Sequence, residues 1–251
     1  MTKRSVILLA IGLLLPAHSV ALADGFGIAV IEGYAPISGY LQTPAGGNPG
    51  TSDVKRPTFE ELGVDDVTYT DIDVHYKTGR YVPYAAIRLT TADSSGALEQ
   101  DLTTQGRSFL KGESYSHETT FNIYRLGLKR DLTYLTAGIE WALMDFSYEL
   151  KTADASVDRS YVKSAARLCV EKSFKFDKLE IVVEASGSVP LSNTPDIFSV
   201  GTQVKYRLAE RLNIGVGVQY FYLDYEDNQD LPNHLRLEMR PALSVSLQYL
   251  F

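Results

Sequence analysis

The closing segment of the chain, from His234 to Phe251, alternates between apolar and polar side chains. It reads HLRLEMRPALSVSLQYLF, and every second residue from Leu235 onward is apolar. The residues between them are charged, small or amide-bearing, except for Leu250. Because successive side chains of a β-strand point to opposite faces, this segment predicts one long strand with a continuous apolar face.

The same alternation recurs along the chain, in runs that are rich in Val, Ile, Tyr and Phe. Alternation with this composition favours strands over helices. Ten strands are predicted, at about 26–40, 68–77, 80–91, 118–129, 132–150, 161–175, 179–189, 197–208, 212–225 and 234–251.

The connections between these strands are of two kinds, which alternate from end to end. Four are tight turns, and five are longer loops, at 41–67, 92–117, 151–160, 190–196 and 226–233. An up-and-down barrel has this pattern when one rim carries turns and the other carries loops. The predicted fold is therefore all-β: one up-and-down antiparallel transmembrane β-barrel of ten strands, with eight or twelve as alternatives.

Alternation does not tell which face is outside, because a secreted soluble barrel or sandwich turns its apolar face inward. Here the polar faces are rich in Gly, Ala, Ser and Gln, which suits a narrow lumen. Aromatic residues lie near the strand ends, where membrane barrels place their girdles. Both observations favour the membrane barrel.

The first 23 residues predict a secretory signal peptide, followed by a barrel domain at 24–251. Lys3 and Arg4 precede an apolar run at Val6–Leu15, and Ala21–Ala23 forms a small-residue cleavage site. The run is shorter than the roughly 20 residues of a membrane-spanning helix. The net charge of −7 argues against a nucleic-acid partner, and a single cysteine, Cys169, excludes an internal disulfide framework.

The chain resembles the small outer-membrane β-barrel proteins of Gram-negative bacteria. The resemblance is carried by the signal peptide and by the closing ten residues. In that class, a terminal Phe preceded by alternating apolar residues is read by the barrel-assembly machinery; here these residues are Leu243, Val245, Leu247, Tyr249 and Phe251. The resemblance implies an outer-membrane location and contact with membrane lipid and lipopolysaccharide, and we expect a monomer. Ten strands resemble the omptin proteases and eight the OmpA-, OmpX- and OmpW-like barrels, but no motif transfers catalytic residues.

The predicted lumen face carries charges of both signs. The candidates are Asp71, Asp73, His75, Arg88, Arg125, Glu140, Lys163, Arg167, Glu171, Glu184, Lys205, Arg236, Glu238 and Arg240. Charges removed from water need partners, so we interpret them as a network of ion pairs that plugs the lumen. A narrow solute path and a catalytic role are the alternatives.

Three smaller groups contain residue types that carry chemistry. Asp71, Asp73 and His75 share a face and are of the types that bind divalent cations, although we predict no metal and no other cofactor. His117 stands between Ser116 and Glu118, but adjacent residues of a strand point apart, so a second segment would have to complete a catalytic site. The third group, His234 with Asp224 and Asp227, has the residue types of a rim protease without its motif.

The first loop contains a local helix signal. Thr58 followed by Glu61 fits a capping box and Gly63 a helix stop, which predicts a helical turn at 59–62. This turn could cap the barrel mouth or bind a partner, and we prefer capping. Pro83 and Pro241 each predict a bulge or an unpaired position inside a strand. The alternation also changes phase near 144–145, which predicts a bulge or the barrel rim there.

The predicted function is that of an integral outer-membrane protein with a structural or surface-interaction role. A narrow transporter of small solutes and a rim-sited hydrolase are the alternatives, and the sequence identifies no ligand or substrate.

Overall fold

The strands in the computed structural model lie close to the predicted ones. The structure describes residues 25–42, 58–104, 107–226 and 234–251. Its strands are β1 Phe26–Gln42, β2 Asp66–Tyr76, β3 Tyr81–Ala97, β4 Leu102–Thr104, β5 Arg107–Phe109, β6 Ser114–Asp131, β7 Thr136–Thr152, β8 Ser156–Phe176, β9 Leu179–Ser188, β10 Asp196–Ala209, β11 Leu212–Glu226 and β12 His234–Leu250.

Ten of these strands form a closed antiparallel barrel. Their order around the wall is β1-β12-β11-β10-β9-β8-β7-β6-β3-β2, and β1 pairs with β12 to close it. The predicted up-and-down fold with ten strands is therefore confirmed. Within the described ranges no helix is long and apolar enough to cross a membrane. The predicted signal peptide lies outside the described residues.

Two predicted loops differ from the structure. The connection expected at 151–160 is a three-residue turn at 153–155, because β7 and β8 both extend further than predicted. The connection expected at 92–117 contains the separate hairpin β4–β5. Turns and long loops therefore do not alternate strictly around the barrel.

Side-chain polarity inverts halfway along the barrel wall. In the half that carries the turns, called here the turn-side half, Ile139 and Trp141 of β7 are exposed on the outside and Glu140 is buried in the lumen. In the half that carries the loops, called the outer half, Met144 and Phe146 fill the lumen. β6 and β7 pair without a register shift. The predicted bulge near 144–145 is therefore wrong, because the polarity of the residues changes there while the strand continues regularly.

The outside of the turn-side half forms an apolar belt. Its exposed members include Leu126, Leu128, Ile139, Trp141, Leu168, Val170, Val183, Val200, Ile214, Val216, Val218, Leu243, Val245 and Leu247. Aromatic side chains border it, among them Tyr34 and Tyr220 towards the outer half and Tyr249 and Phe251 at the turn rim. An apolar band between aromatic girdles is the lipid-facing surface of a transmembrane barrel.

A β-bulge interrupts β12 at Arg240–Pro241. The strand has one more residue than β1 between the pairs Tyr34–Leu243 and Ile37–Met239, and it gains the same extra residue against β11. The bulge predicted at Pro241 is confirmed. The continuous apolar face predicted for this strand is wrong, because residues before the bulge point to the opposite side from those after it.

Pro83, the other strand proline, causes no bulge. It lies in register with Leu128 of β6, while the ladder between β2 and β3 ends at Tyr84. Pro83 is therefore unpaired on the side that faces β2, so of the predicted bulge or unpaired position the structure shows the unpaired position.

An apolar core fills the outer half of the lumen. Its buried side chains come from several segments of the chain and include Phe59, Phe121, Met144, Phe146, Leu223, Leu237 and Met239. The first loop closes it, since Phe59 and Leu62 are fully buried and the Phe59 and Phe121 rings lie 6.5 Å apart.

The predicted capping box orders this closure. The backbone N–H of Thr58 donates to Glu61 Oε2 and that of Glu61 to Thr58 Oγ1, both at 3.1 Å. Gly63 ends the turn with φ of +62°, a conformation that glycine adopts without strain. The helical turn therefore caps the barrel mouth as predicted.

Candidate functional site

The turn-side half of the lumen contains a polar cavity of about 710 Å³. It extends from the turn rim, at Lys77 and Asp131, to Arg88 and Gln219 near the middle of the barrel. The apolar core lies beyond it. The cavity is thus a pocket open at one end of the barrel, and its walls differ in chemistry.

The inner end of the cavity is formed by Arg88. Its guanidinium donates to both carboxylate oxygens of Asp71, with Nη2 at 2.6 Å from Oδ2, and to Gln219 Oε1 at 2.8 Å. The guanidinium lies 4.5 Å from the centre of the Tyr69 ring and 5.1 Å from that of Phe221. Arg88 and Asp71 are both buried, so their charges neutralise each other where the polar lumen meets the apolar core.

A second buried ion pair joins β7 and β8. Arg167 Nη1 and the Tyr84 hydroxyl both donate to Glu140. Arg167 Nη2 also donates to Ser186 Oγ at 2.5 Å, and Ser186 Oγ lies 2.8 Å from Ser199 Oγ. The network therefore connects the adjacent strands β7 to β10 with β3, which lies on the far side of β6.

Nearer the turn rim, the charged wall is more open. Lys129 Nζ lies 2.9 Å from Glu171 Oε2, and His75 Nδ1 lies 2.8 Å from Asp73 Oδ1. Glu184 and Lys205 line the cavity at this level. In the described ranges no three metal-ligating side chains converge, and Asp71 points to Arg88 instead of towards Asp73 and His75.

The opposite wall, from β10 to β12, carries no charge apart from Lys205 and is lined mostly by small or amide side chains. A Cβ on Gly215 would lie 2.6 Å from Ser246 Oγ, and one on Gly217 would lie 2.8 Å from Ser244 Oγ. Gln203 Nε2 donates to Ser246 Oγ at 2.8 Å. Glycine at these two positions keeps this side of the lumen wide enough for the cavity.

Eleven of the fourteen predicted lumen charges lie on the lumen side of the wall. They are Asp71, Asp73, His75, Arg88, Arg125, Glu140, Lys163, Arg167, Glu171, Glu184 and Lys205. Lys163 belongs to the outer half, where its Nζ lies 5.2 Å from the Tyr225 ring centre. Sequence reasoning missed Lys129 and Tyr84, although Lys129 has the same strand parity as Arg125, four residues earlier.

The other three predicted lumen charges, Arg236, Glu238 and Arg240, lie on the outside of the barrel wall, facing away from the lumen. Arg236 Nη2 lies 3.2 Å from Glu238 Oε1, and Arg240 pairs with the other oxygen of Glu238. The two guanidinium groups cover the outward-facing rings of Tyr222 and Tyr220. Their predicted direction is wrong because the bulge at Arg240–Pro241 reverses the facing of the preceding residues.

His117 is buried beneath the first loop. Its Nε2 lies 2.6 Å from Thr119 Oγ1 and its Nδ1 lies 3.4 Å from Ser94 Oγ. The Ser94 hydroxyl itself donates to the Leu62 carbonyl of the cap. Ser116 and Glu118 are exposed on the opposite side of the strand. His117 therefore belongs to the packing of the cap, and both its ring nitrogens face hydroxyl groups.

His234 forms a pair with Asp224 on the outer wall near the loop rim. Its Nε2 lies 2.8 Å from Asp224 Oδ1 and 3.3 Å from the Tyr40 hydroxyl. The Tyr222 hydroxyl donates to the second oxygen of Asp224 at 2.8 Å. Asp227, the third residue of the predicted group, lies outside the described residues.

Comparisons with solved structures find this architecture in outer-membrane proteins. The outer membrane protease OmpT of Escherichia coli has a TM-score of 0.53 at 8% identity, covering 90% of this chain and 97% of OmpT. The attachment invasion locus protein Ail of Yersinia pestis has a TM-score of 0.41 at 7% identity, covering 91% and 100% of the two chains. Neisserial surface protein A has a TM-score of 0.36 at 10% identity, with coverage of 91% and 98%.

No family profile and no curated protein matches this sequence. At 8% identity the likeness to OmpT concerns the fold alone, and that fold is an outer-membrane β-barrel. Together with the apolar belt, it confirms the predicted resemblance and places the chain among the integral outer-membrane barrels.

Proposed function

We propose that the protein is a closed structural barrel that displays its outer half at the bacterial surface and conducts no solute. The observation that carries this proposal is the apolar core of the outer half beneath the Phe59–Leu62 cap. A hydrated ion entering this core would lose its water and find no polar partners, which costs several kcal/mol or more. The core thus disfavours a narrow transporter.

The buried ion pairs support the same proposal. Asp71–Arg88 and Glu140–Arg167 each join two neighbouring strands, and Arg88 also donates across the lumen to Gln219 of β11. Removing either partner would leave an uncompensated charge, so these pairs resist rearrangement. In this proposal they hold the turn-side half in one shape and form a second closure of the lumen.

A surface role is supported by the ordered platform of the outer half. Leu98, Leu102 and Phe109 around the β4–β5 hairpin are buried in the same core as the cap. The Gln100 side chain donates to Glu61 of the capping box. The described part of the first loop, 58–65, is therefore packed on the second loop, and the two would present a preformed surface to the environment.

Bilayer recordings test this proposal. The purified protein in planar lipid bilayers should produce no conductance steps, while a detergent-solubilised porin measured in parallel gives them. Regular single-channel steps from the folded wild-type protein would overturn the closed-barrel proposal and favour the transporter.

Assembly through the closing segment is a related proposal. Leu243, Val245, Leu247, Tyr249 and Phe251 are all exposed on the outside of the barrel, at the seam where β12 meets β1. They would be accessible to assembly machinery before the barrel closes. A Phe251→Ser variant should reach the outer membrane in smaller amounts than the wild type, whereas Leu250→Ser, whose side chain lines the lumen, should be affected less.

A rim-sited hydrolase is the second candidate, favoured by the His234–Asp224 pair. A histidine oriented by a carboxylate can act as a general base towards water. The probes are fluorescein-labelled casein and a fluorogenic phospholipid. Hydrolysis that is lost in His234→Ala and retained in a folded His117→Ala variant would support this candidate, and absence of hydrolysis by the wild type would exclude it for these substrates.

A further inference from the structure

Charge is distributed unevenly along the barrel axis. At the turn rim, the segments 77–80, 130–135, 172–180 and 207–211 hold eight Lys and Arg against four Asp and Glu. In the described parts of the outer half, the segments 58–67, 93–118, 145–159, 189–196, 224–226 and 234–240 hold 17 Asp and Glu against six Lys and Arg. The turn rim is therefore basic although the whole chain is acidic.

Two of the rim cations lie on the outer wall beside aromatic side chains. The Arg130 guanidinium lies 5.5 Å from the centre of the Tyr81 ring, and Lys172 Nζ lies 5.8 Å from that of Phe174. Lys172 also donates to the backbone carbonyl of Tyr134, whose own side chain is 78% exposed. The two cations therefore lie among exposed aromatic rings at the edge of the apolar belt nearest the turn rim.

The strand register fixes the spacing of these two cations. Arg130 pairs with Ala137 of β7, which in turn pairs with Val170 of β8, two residues before Lys172. Arg130 and Lys172 therefore stand two strands apart, which corresponds to about 10 Å across the wall. Both share the outward-facing strand parity of the exposed belt residues Leu128 and Val170, and Lys172 also borders the mouth of the lumen cavity beside Tyr134.

We propose that this surface, formed by Arg130, Lys172, Tyr81, Tyr134 and Phe174, binds the phosphodiester headgroup of an anionic phospholipid. Short turns of outer-membrane barrels face the periplasm, so the lipid is one of the inner leaflet. The guanidinium donates paired hydrogen bonds to phosphate oxygens. The ammonium group adds a second charge, while the aromatic rings contact the glycerol region, where aromatic girdles lie.

The position of the cations favours a lipid over a soluble periplasmic polyanion. A soluble partner would approach from below, along the barrel axis. Arg130 and Lys172 instead project sideways, in line with the lipid-facing residues Leu128 and Val170, at the level where headgroups meet the acyl chains. Charge complementarity and membrane depth therefore point to the same occupant.

Native mass spectrometry of the full-length folded protein tests the proposal. The detergent-solubilised protein is titrated with dioleoyl phosphatidylglycerol or dioleoyl phosphatidylcholine, and the bound lipids are counted. The wild type should retain phosphatidylglycerol about five- to tenfold better than phosphatidylcholine, and removal of each cation should reduce the preference by up to about fivefold. In Arg130→Gln/Lys172→Gln the preference should nearly disappear, whereas it should persist in the control Arg107→Gln/Lys111→Gln, which removes two cations from the outer half.

Each of the other outcomes overturns the proposal. Equal retention of the two lipids by the wild type would exclude a headgroup site, and an equal loss in the outer-half control would reduce the effect to net charge. If the preference survives in the Arg130→Gln/Lys172→Gln variant, the site lies elsewhere. Binding of a soluble polyanion such as polyphosphate, lost in this variant without any lipid preference in the wild type, would assign the surface to a periplasmic partner. A gel-mobility shift on heating shows that each variant is folded.

Discussion

Met239 and Leu243, four residues apart in one strand, point to opposite sides of the barrel wall. Met239 is fully buried in the lumen, and Leu243 is 56% exposed on the outside. In a regular strand, residues four apart share a face. The extra residue at Arg240–Pro241 separates them, so this bulge lets one strand serve both the apolar belt and the apolar core.

Deleting Pro241 should prevent formation of the native barrel. Without the extra residue, either the belt residues or the core residues of β12 would face the wrong side. We expect the deletion variant to show no gel-mobility shift on heating after refolding into vesicles. Pro241→Ala keeps the residue count and should fold with a loss of less than about 1.5 kcal/mol. A folded deletion variant with wild-type stability would show that the bulge is dispensable.

The same bulge explains which part of the sequence interpretation failed. Wall polarity inverts at one level of the barrel in both β7 and β12. In β7 the strand is regular, so the inversion appears in the sequence as a change of phase near Met144, which resembles a bulge. In β12 a real bulge lies at the inversion. The bulge shifts the facing of the side chains by one residue where the polarity of the wall also inverts, so the sequence shows no change of phase. The alternation from Leu235 to Phe251 therefore looks unbroken.

The predicted strand positions were correct to within a few residues, apart from some outer ends, because alternation is a local property of the chain. The lumen site was predicted only in part. Parity placed Asp71, Arg88 and Glu140 in the lumen, but which charges pair depends on the register between neighbouring strands, and alternation alone does not fix that register. The buried cap at Phe59 was predictable because its capping box is local.

Arginine at two positions of β6 should distinguish the two halves of the wall. Leu126 and Ser116 are both exposed on its outer side, ten residues apart. Leu126→Arg places a charge in the apolar belt and should lower the free energy of unfolding by about 2–4 kcal/mol. Ser116→Arg lies on the polar outer half and should change it by less than about 1 kcal/mol. Urea unfolding in phosphatidylcholine vesicles, followed by fluorescence of the single Trp141, measures both. Equal losses would contradict the assignment of the belt.

Removing the ring of Phe59 should destabilise the cap. Phe59→Ala empties a fully buried site, and we expect a loss of about 3–5 kcal/mol in the free energy of unfolding. Leu110→Ala, on a side chain that is 57% exposed in the second loop, should change it by less than about 0.5 kcal/mol. The same urea experiment compares them, and similar values for the two variants would show that the cap does not belong to the core.

Neutralising one partner of the buried pair Glu140–Arg167 should strongly lower the free energy of unfolding. Glu140→Gln leaves the Arg167 charge without its partner, and we expect a loss of about 3–5 kcal/mol. The matched control is Glu149→Gln, which breaks the exposed pair with Lys151 and should cost less than about 1 kcal/mol. Adding Arg167→Met to Glu140→Gln should recover part of the loss. If the double variant is less stable than Glu140→Gln alone, the cost does not arise from an unpaired charge.

The acidity of the outer half affects how the barrel is inserted into the membrane. If this half faces the cell exterior, as proposed, the 17 carboxylates of its described segments pass the hydrocarbon layer once, during assembly. Moving them back would cost several kcal/mol for each charge exposed to lipid. Reversal of an inserted barrel is therefore strongly unfavourable, and the acidity of this half by itself resists a change of orientation.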